Sequence, residues 1–233
     1  MKRISIAQWA RGSALVAAAA LAAMSAQADY GNIGGPGVYF GSGNVDGNWT
    51  FETASNVQVA IRAKDRATLQ TLDGSSGVYG AGYGLVGGNK AAWNYEFSVN
   101  LRADGTGNMD FSDVTAQMFV DIDPTAGFNW QMLDIESNWP DNCWWDGSAP
   151  RRCGATPLAG EYGAQQSANP LFGDSGFAFN PGAGLYGLRL VVSDNTGDVL
   201  SSVETAVQIP EPGSLALVGL ALAGLGYSRR RKG

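Results

Sequence analysis

Between positions 93 and 102 apolar and polar residues alternate without a break. Trp93, Tyr95, Phe97, Val99 and Leu101 take one face of an extended backbone, and Asn94, Glu96, Ser98, Asn100 and Arg102 the other. A period of two separates the faces of a strand and would scatter the same five apolar residues around a helix. The segment predicts a half-buried β-strand. The pattern returns in Tyr186, Leu188, Leu190 and Val192, then in Val199, Ser201, Val203, Thr205, Val207 and Ile209, with Asp194-Asn195-Thr196-Gly197-Asp198 between them as a hairpin loop. Further strands are expected at 57–61, 68–72, 115–122 and 130–135, separated by Gly, Asp, Asn and Pro. No long segment keeps the helical period. The expected fold is all-β, an antiparallel β-sandwich of jelly-roll-like type.

The two ends differ from this body. The first 28 residues have basic Lys2 and Arg3, an apolar run at 14–24, and Ala26-Gln27-Ala28 as a small-residue cleavage site. That is the layout of a secretory signal, removed by signal peptidase after Sec-type export, which would leave Asp29 as the mature start. Eleven apolar residues at about 1.5 Å each cover only about half of a ~30 Å hydrocarbon core, so a membrane-spanning helix is the poorer reading.

The far end reads Pro210-Glu211-Pro212, then an uncharged apolar run at 215–227, then Arg229, Arg230, Arg231 and Lys232. Two prolines keep the motif extended and remove backbone donors, which suits a peptide entering an enzyme's cleft. The apolar run, roughly 20 Å as a helix, can insert with thinning or snorkelling. The basic cluster stays cytoplasmic and places the body on the opposite side of the membrane. Motif, short hydrophobic helix and terminal arginines, in that order, resemble a PEP-CTERM sorting signal. The resemblance covers about the last 25 residues and implies recognition by an exosortase in the inner membrane of a Gram-negative bacterium, cleavage at or near Pro210-Glu211-Pro212, and delivery to the cell surface or extracellular matrix. It also implies a producer of exopolysaccharide or biofilm matrix. The body, through its last hairpin running directly into the tail, is loosely similar to β-rich domains on other PEP-CTERM proteins. The division is therefore a signal peptide at 1–28, a β-sandwich body at 29–209 and a sorting tail at 210–233.

Charge bears on partners. The body holds 20 acidic and 8 basic side chains, a formal charge of −12 against −6 for the whole chain. A surface without a basic stripe repels phosphate backbones, so nucleic acid is set aside and the acidity is read as solubility.

Chemistry is restricted as sharply. The chain has no histidine, which removes Ser-His-Asp and Cys-His triads and histidine metal ligands. Cys143 and Cys153, the only cysteines, are expected to form a disulfide in an oxidising compartment; two thiols without histidine make a poor zinc site. Asp121 with Asp123, and Asp134 with Glu136, are spaced two apart, as the acid and base of a glycan hydrolase would be. Exposed strand positions are commonly acidic in a chain this acidic, and that is the better reading of both pairs. Residues 104–110 offer oxygen ligands at alternating positions, yet Met109 stands where an EF-hand loop needs glycine, and a hairpin turn is the better reading. No cofactor is expected, while the acidic surface leaves room for calcium elsewhere.

Trp130, Trp139, Trp144 and Trp145 fall within sixteen residues. Trp139, Trp144, Trp145 and Asn142 are candidate glycan contacts, because rigid rings stack on sugars while amides bond the hydroxyls; packing beneath the loop is the alternative. The expectation is an exported, non-enzymatic surface or matrix protein associated with exopolysaccharide. A carbohydrate-binding module and a carboxylate-dependent hydrolase stand behind it.

Overall fold

The structure is a computed structural model that describes residues 28–33, 47–125, 127–137, 142–148, 152–172 and 179–211, with positions 213 and 217 beyond them. The export signal at 1–27, Trp139, Pro212, the apolar run apart from Leu217, and Arg229, Arg230, Arg231 and Lys232 lie outside the described residues. Among the described residues no helix is long and apolar enough to cross a membrane.

In chain order the strands are β1 (Asp29–Gly31), β2 (Trp49–Ala54), β3 (Val57–Asp65), β4 (Val78–Gly80), β5 (Leu85–Val86), β6 (Lys90–Ala91), β7 (Trp93–Asn100), β8 (Val114–Asp121), β9 (Trp130–Asp134), β10 (Cys143–Trp145), β11 (Arg152–Cys153), β12 (Gly163–Ala168), β13 (Gly184–Asp194) and β14 (Val199–Ile209). One sheet runs β1-β2-β3-β7-β12-β10-β11 and a second runs β4-β14-β13-β8-β9; β5 and β6 form a small hairpin of their own. Every pairing is antiparallel except β14 with β4.

Alternation decides which side chains meet between the two sheets. Val57, Val59, Ile61 and Ala63 of β3 and Trp93, Tyr95, Phe97 and Val99 of β7 share one core with Ala116, Met118 and Val120 of β8, Tyr186, Leu188, Leu190 and Val192 of β13, and Val203 and Val207 of β14. Each large apolar side chain taken from water there contributes about 1.5–3 kcal/mol. Tyr79 of β4 ties the layers together: its hydroxyl donates to the Ile61 carbonyl at 3.2 Å, receives the Thr50 N–H at 3.1 Å and lies 3.0 Å from Thr50 Oγ1. The expected antiparallel β-sandwich is the fold of the body.

Two expectations change. Strand β7 is buried along its whole length, including Asn94, Glu96, Ser98 and Asn100, so it is not half-exposed. Flanked by β3 and β12 in the middle of its sheet, it has a polar face that is enclosed as well. Residues 68–72 are not a strand either. Asp65 Oδ1 accepts the Ala67 and Thr68 N–H groups and the Thr68 hydroxyl, and Leu69 takes φ 60°, leaving only a bridge from Thr71 to Lys64. Local side-chain bonds to the backbone outcompete the ladder here.

Turns follow one recurrent rule. In Asp73/Ser75, Asp104/Thr106, Asp110/Ser112, Asp123/Thr125, Asp146/Ser148 and Asp194/Thr196 the carboxylate accepts the N–H two residues on. In the turns from Asp104 onward it also accepts the Ser or Thr hydroxyl. These bonds hold the six carboxyls below the usual range. Much of the body's acidity is thus turn chemistry, and the 104–110 segment is a turn of this kind.

Candidate functional site

The sorting motif leaves the body without a spacer. Ile209 is the last residue of β14 and pairs with Gly184, whereas Pro210 and Glu211 are exposed. Gln208 binds back to the Gly184 carbonyl through Nε2 at 3.0 Å, fixing the strand to its final residue. Proline then stops the ladder, since it brings no N–H. Of the tail's predicted residues, Pro210 and Glu211 are therefore placed, accessible and directly against a rigid sheet.

Cys143 and Cys153 form the expected disulfide, directly opposite each other on β10 and β11 with Cα atoms 4.0 Å apart. The tryptophans beside it divide. Trp144 faces the core, fully buried, packs edge-on against Phe111 at 5.0 Å and donates its indole N–H to the Gly154 carbonyl at 2.8 Å. Asn142 is also fully buried, with Nδ2 bonded to the Ile135 carbonyl. Neither presents a surface to a sugar, and these two glycan contacts are corrected to core packing. Trp145 alternates to the other face, half-buried, 5.2 Å from the Tyr162 ring, over which the Arg102 guanidinium carbon also lies at 4.2 Å.

The carboxylates do not gather into one centre. Asp121 lies across from Trp130 and Asp134 across from Gln117, at opposite ends of the β8–β9 ladder. Four residues at about 3.3 Å each put the two pairs roughly 13 Å apart, so they are separate sites, while within each pair the members stay close: the Asp123 N–H reaches Asp121 Oδ1 at 3.4 Å and the charge of Asp134 bears on Glu136. Asp123 is held by Thr125 and Asn129, which keep it low. Glu136 is pushed up to about 7 by burial and by the neighbouring charge of Asp134.

Asp121 has a different environment. The Trp130 indole reaches past β8 to β13, where a Cβ on Gly187 would stand 2.5 Å from the ring and 3.0 Å from Phe128. Phe128 and Trp130 sit 4.9 Å apart, tilted by 39°. Beneath them Asp121 is fully buried; its Oδ1 accepts the Asn129 N–H at 2.9 Å, and burial raises its carboxyl against the pull of that donor.

A charged cluster that strand alternation alone assigns to solvent is enclosed instead. Glu96 of β7 binds Arg62 Nε through one carboxylate oxygen and Lys64 Nζ at 2.6 Å through the other, with all three side chains at most 1% exposed. Trp49 covers Arg62, ring centroid 4.0 Å from the guanidinium carbon. The opposed register of Arg62 and Glu96 makes the pairing, which no single-strand pattern discloses.

Fold and junction together define a β-sandwich that ends in an exposed processing signal. Residues 208–232 match the PEP-CTERM protein-sorting motif. The match begins inside β14 and takes in Pro210-Glu211-Pro212 and the terminal basic cluster. The chain is accordingly an exported protein processed at the membrane, with an exosortase as its processing partner. No curated protein matches the chain.

Proposed function

We propose that the body is a non-enzymatic surface or matrix module that accompanies extracellular polysaccharide once its tail has been processed. The observation that carries this reading is the junction: the motif starts at the residue after Ile209, so cutting near Pro212 removes no strand residue. A cargo built this way is delivered whole. The tail resemblance, which links such proteins to exopolysaccharide producers, supports the destination, and the lack of histidine, the commonest general base, supports a non-catalytic role.

The test is intact mass and fractionation of the protein from its native host, wild type beside Glu211→Ala. The expected wild-type product starts at Asp29, ends near Pro212 and co-fractionates with matrix polysaccharide, while the variant keeps its tail and stays with membranes. Wild-type protein that keeps residues 213–233 would make the tail a plain anchor and remove the matrix reading. Glu136, poised near neutrality beside Asp134, favours the hydrolase as second reading. Glycan turnover by the purified protein, lost in Glu136→Gln, would establish it.

A further inference from the structure

The outer face of the second sheet carries an aromatic platform. On this face the register sets Met132 of β9 beside Phe119 of β8, Phe119 beside Arg189 of β13, and Arg189 beside Glu204 of β14. One pleat along, Trp130 faces Asp121 on the same side. These side chains point away from the core, on the opposite phase of alternation from Met118, Val120, Leu188 and Leu190. Met132 is 50% exposed, Arg189 is exposed, and Phe119, Phe128 and Trp130 are part-exposed.

The arrangement is built rather than incidental. Gly187 supplies the space in which Trp130 and Phe128 lie, since any β-carbon there would meet both rings. The indole spans β8 at the level of Asp121, so it lies along the sheet. Trp130 is seated on a paired strand and Phe128, in the loop before it, packs against its ring, so both have lost rotamer freedom before any ligand arrives. The apolar centre is bordered by hydrogen-bonding groups: the Arg189 guanidinium, the Glu204 and Asp134 carboxylates, the Gln117 amide and the exposed Asn129.

We infer that this face binds an uncharged glycan chain, with Trp130 and Phe128 stacking on sugar rings and Arg189, Gln117 and Asn129 bonding hydroxyls. Flat apolar faces bordered by amides and charged groups suit a sugar, which is apolar on its C–H face and polar at its rim. Charge selects within that class. Arg189 is the one cation in the rows just described and stands opposite Glu204, with Asp134 two positions beyond Met132 on β9, and the body as a whole is at −12; a polyanionic glycan would meet repulsion. This inference deepens the matrix-module reading and rests on it.

The experiment is affinity electrophoresis of the exported protein, purified from its host, through gels containing a neutral β-glucan, a galactomannan or a xylan, with alginate as the polyanion. Retardation by at least one neutral glycan and none by alginate is expected. Trp130→Ala should weaken it about tenfold, the scale of losing a stacked ring, while Trp130→Phe keeps most of it and thermal melts show both variants folded. Retardation by alginate alone, or equal retardation of Trp130→Ala, overturns the platform. So does a wild-type dimer that Trp130→Ala dissociates without altering glycan retardation, which would make the face a self-contact. If both proteins co-fractionate with host matrix polysaccharide, only the platform falls; if neither does, the matrix reading falls with it.

Discussion

At the scale of single residues the structure sorts side chains that look alike in sequence. Trp144 and Trp130 lie fourteen positions apart, yet one is core and the other surface. Trp144→Ala should cost about 3–5 kcal/mol in a denaturant melt and leave any glycan retention of the folded fraction unchanged. Glu136 gives a prediction in pH. Its carboxyl stands near 7 when folded against 4.5 otherwise, so the folded state holds the extra proton. The resulting stability is fully present below about pH 4.5 and is lost as pH rises through 7. Glu136→Gln should therefore flatten the decline of the thermal midpoint between pH 5 and 8; an unchanged slope would place the titration elsewhere. The turns at 104–110 and 194–198 were legible, because Asp, Asn and Gly are turn formers, whereas the bonding of Asp123 into the same kind of turn was not, since a sequence does not show which partner a carboxylate takes. The fates of Trp144 and Asn142 were not: burial depends on which strand lies opposite, and Trp144 is core because β10 pairs with β12 in the register that sets it beside Ala164.

Among the elements, period-two alternation located β3, β7, β8, β9, β13 and β14 to within a few residues, since each must bury one face. It failed at 68–72, where Asp65 captures the chain, and it misjudged β7, whose polar face is enclosed between neighbours that sequence order does not place beside it. Glu96 shows what that enclosure costs to disturb. Glu96→Gln would leave Arg62 and Lys64 buried without their carboxylate, a change expected to destabilise by about 3–5 kcal/mol, read as a lower denaturant midpoint. The β10–β11 clip gives a smaller effect. Replacing both cysteines by alanine should cost about 2–3 kcal/mol for a loop with a sequence separation of 10. Reductant should shift the wild type by a similar amount and leave the double variant unmoved.

For the molecule as a whole, the tail was the most readable part, because its three pieces follow one another and need no tertiary partner. The platform on the second sheet was the least readable. It draws on β8, β9, β13 and β14, and its enabling residue is a glycine that no hydrophobic pattern marks. A whole-molecule prediction follows from the junction. Two residues inserted between Ile209 and Pro210 should leave the melting midpoint unchanged and permit processing, whereas Val207→Asp, in the core of β14, should lower the yield of processed protein through misfolding; both are read by intact mass. The position of β14 also sets an order of events. It lies between β4 and β13, and β4 has no other strand partner among the described residues. During synthesis and export from the N-terminus, the second sheet keeps an open seam until the residues adjoining Pro210 arrive. Completion of the fold and presentation of the processing signal are thus coupled in time: a chain truncated before Val199 lacks both the sorting tail and the strand that closes its second sheet.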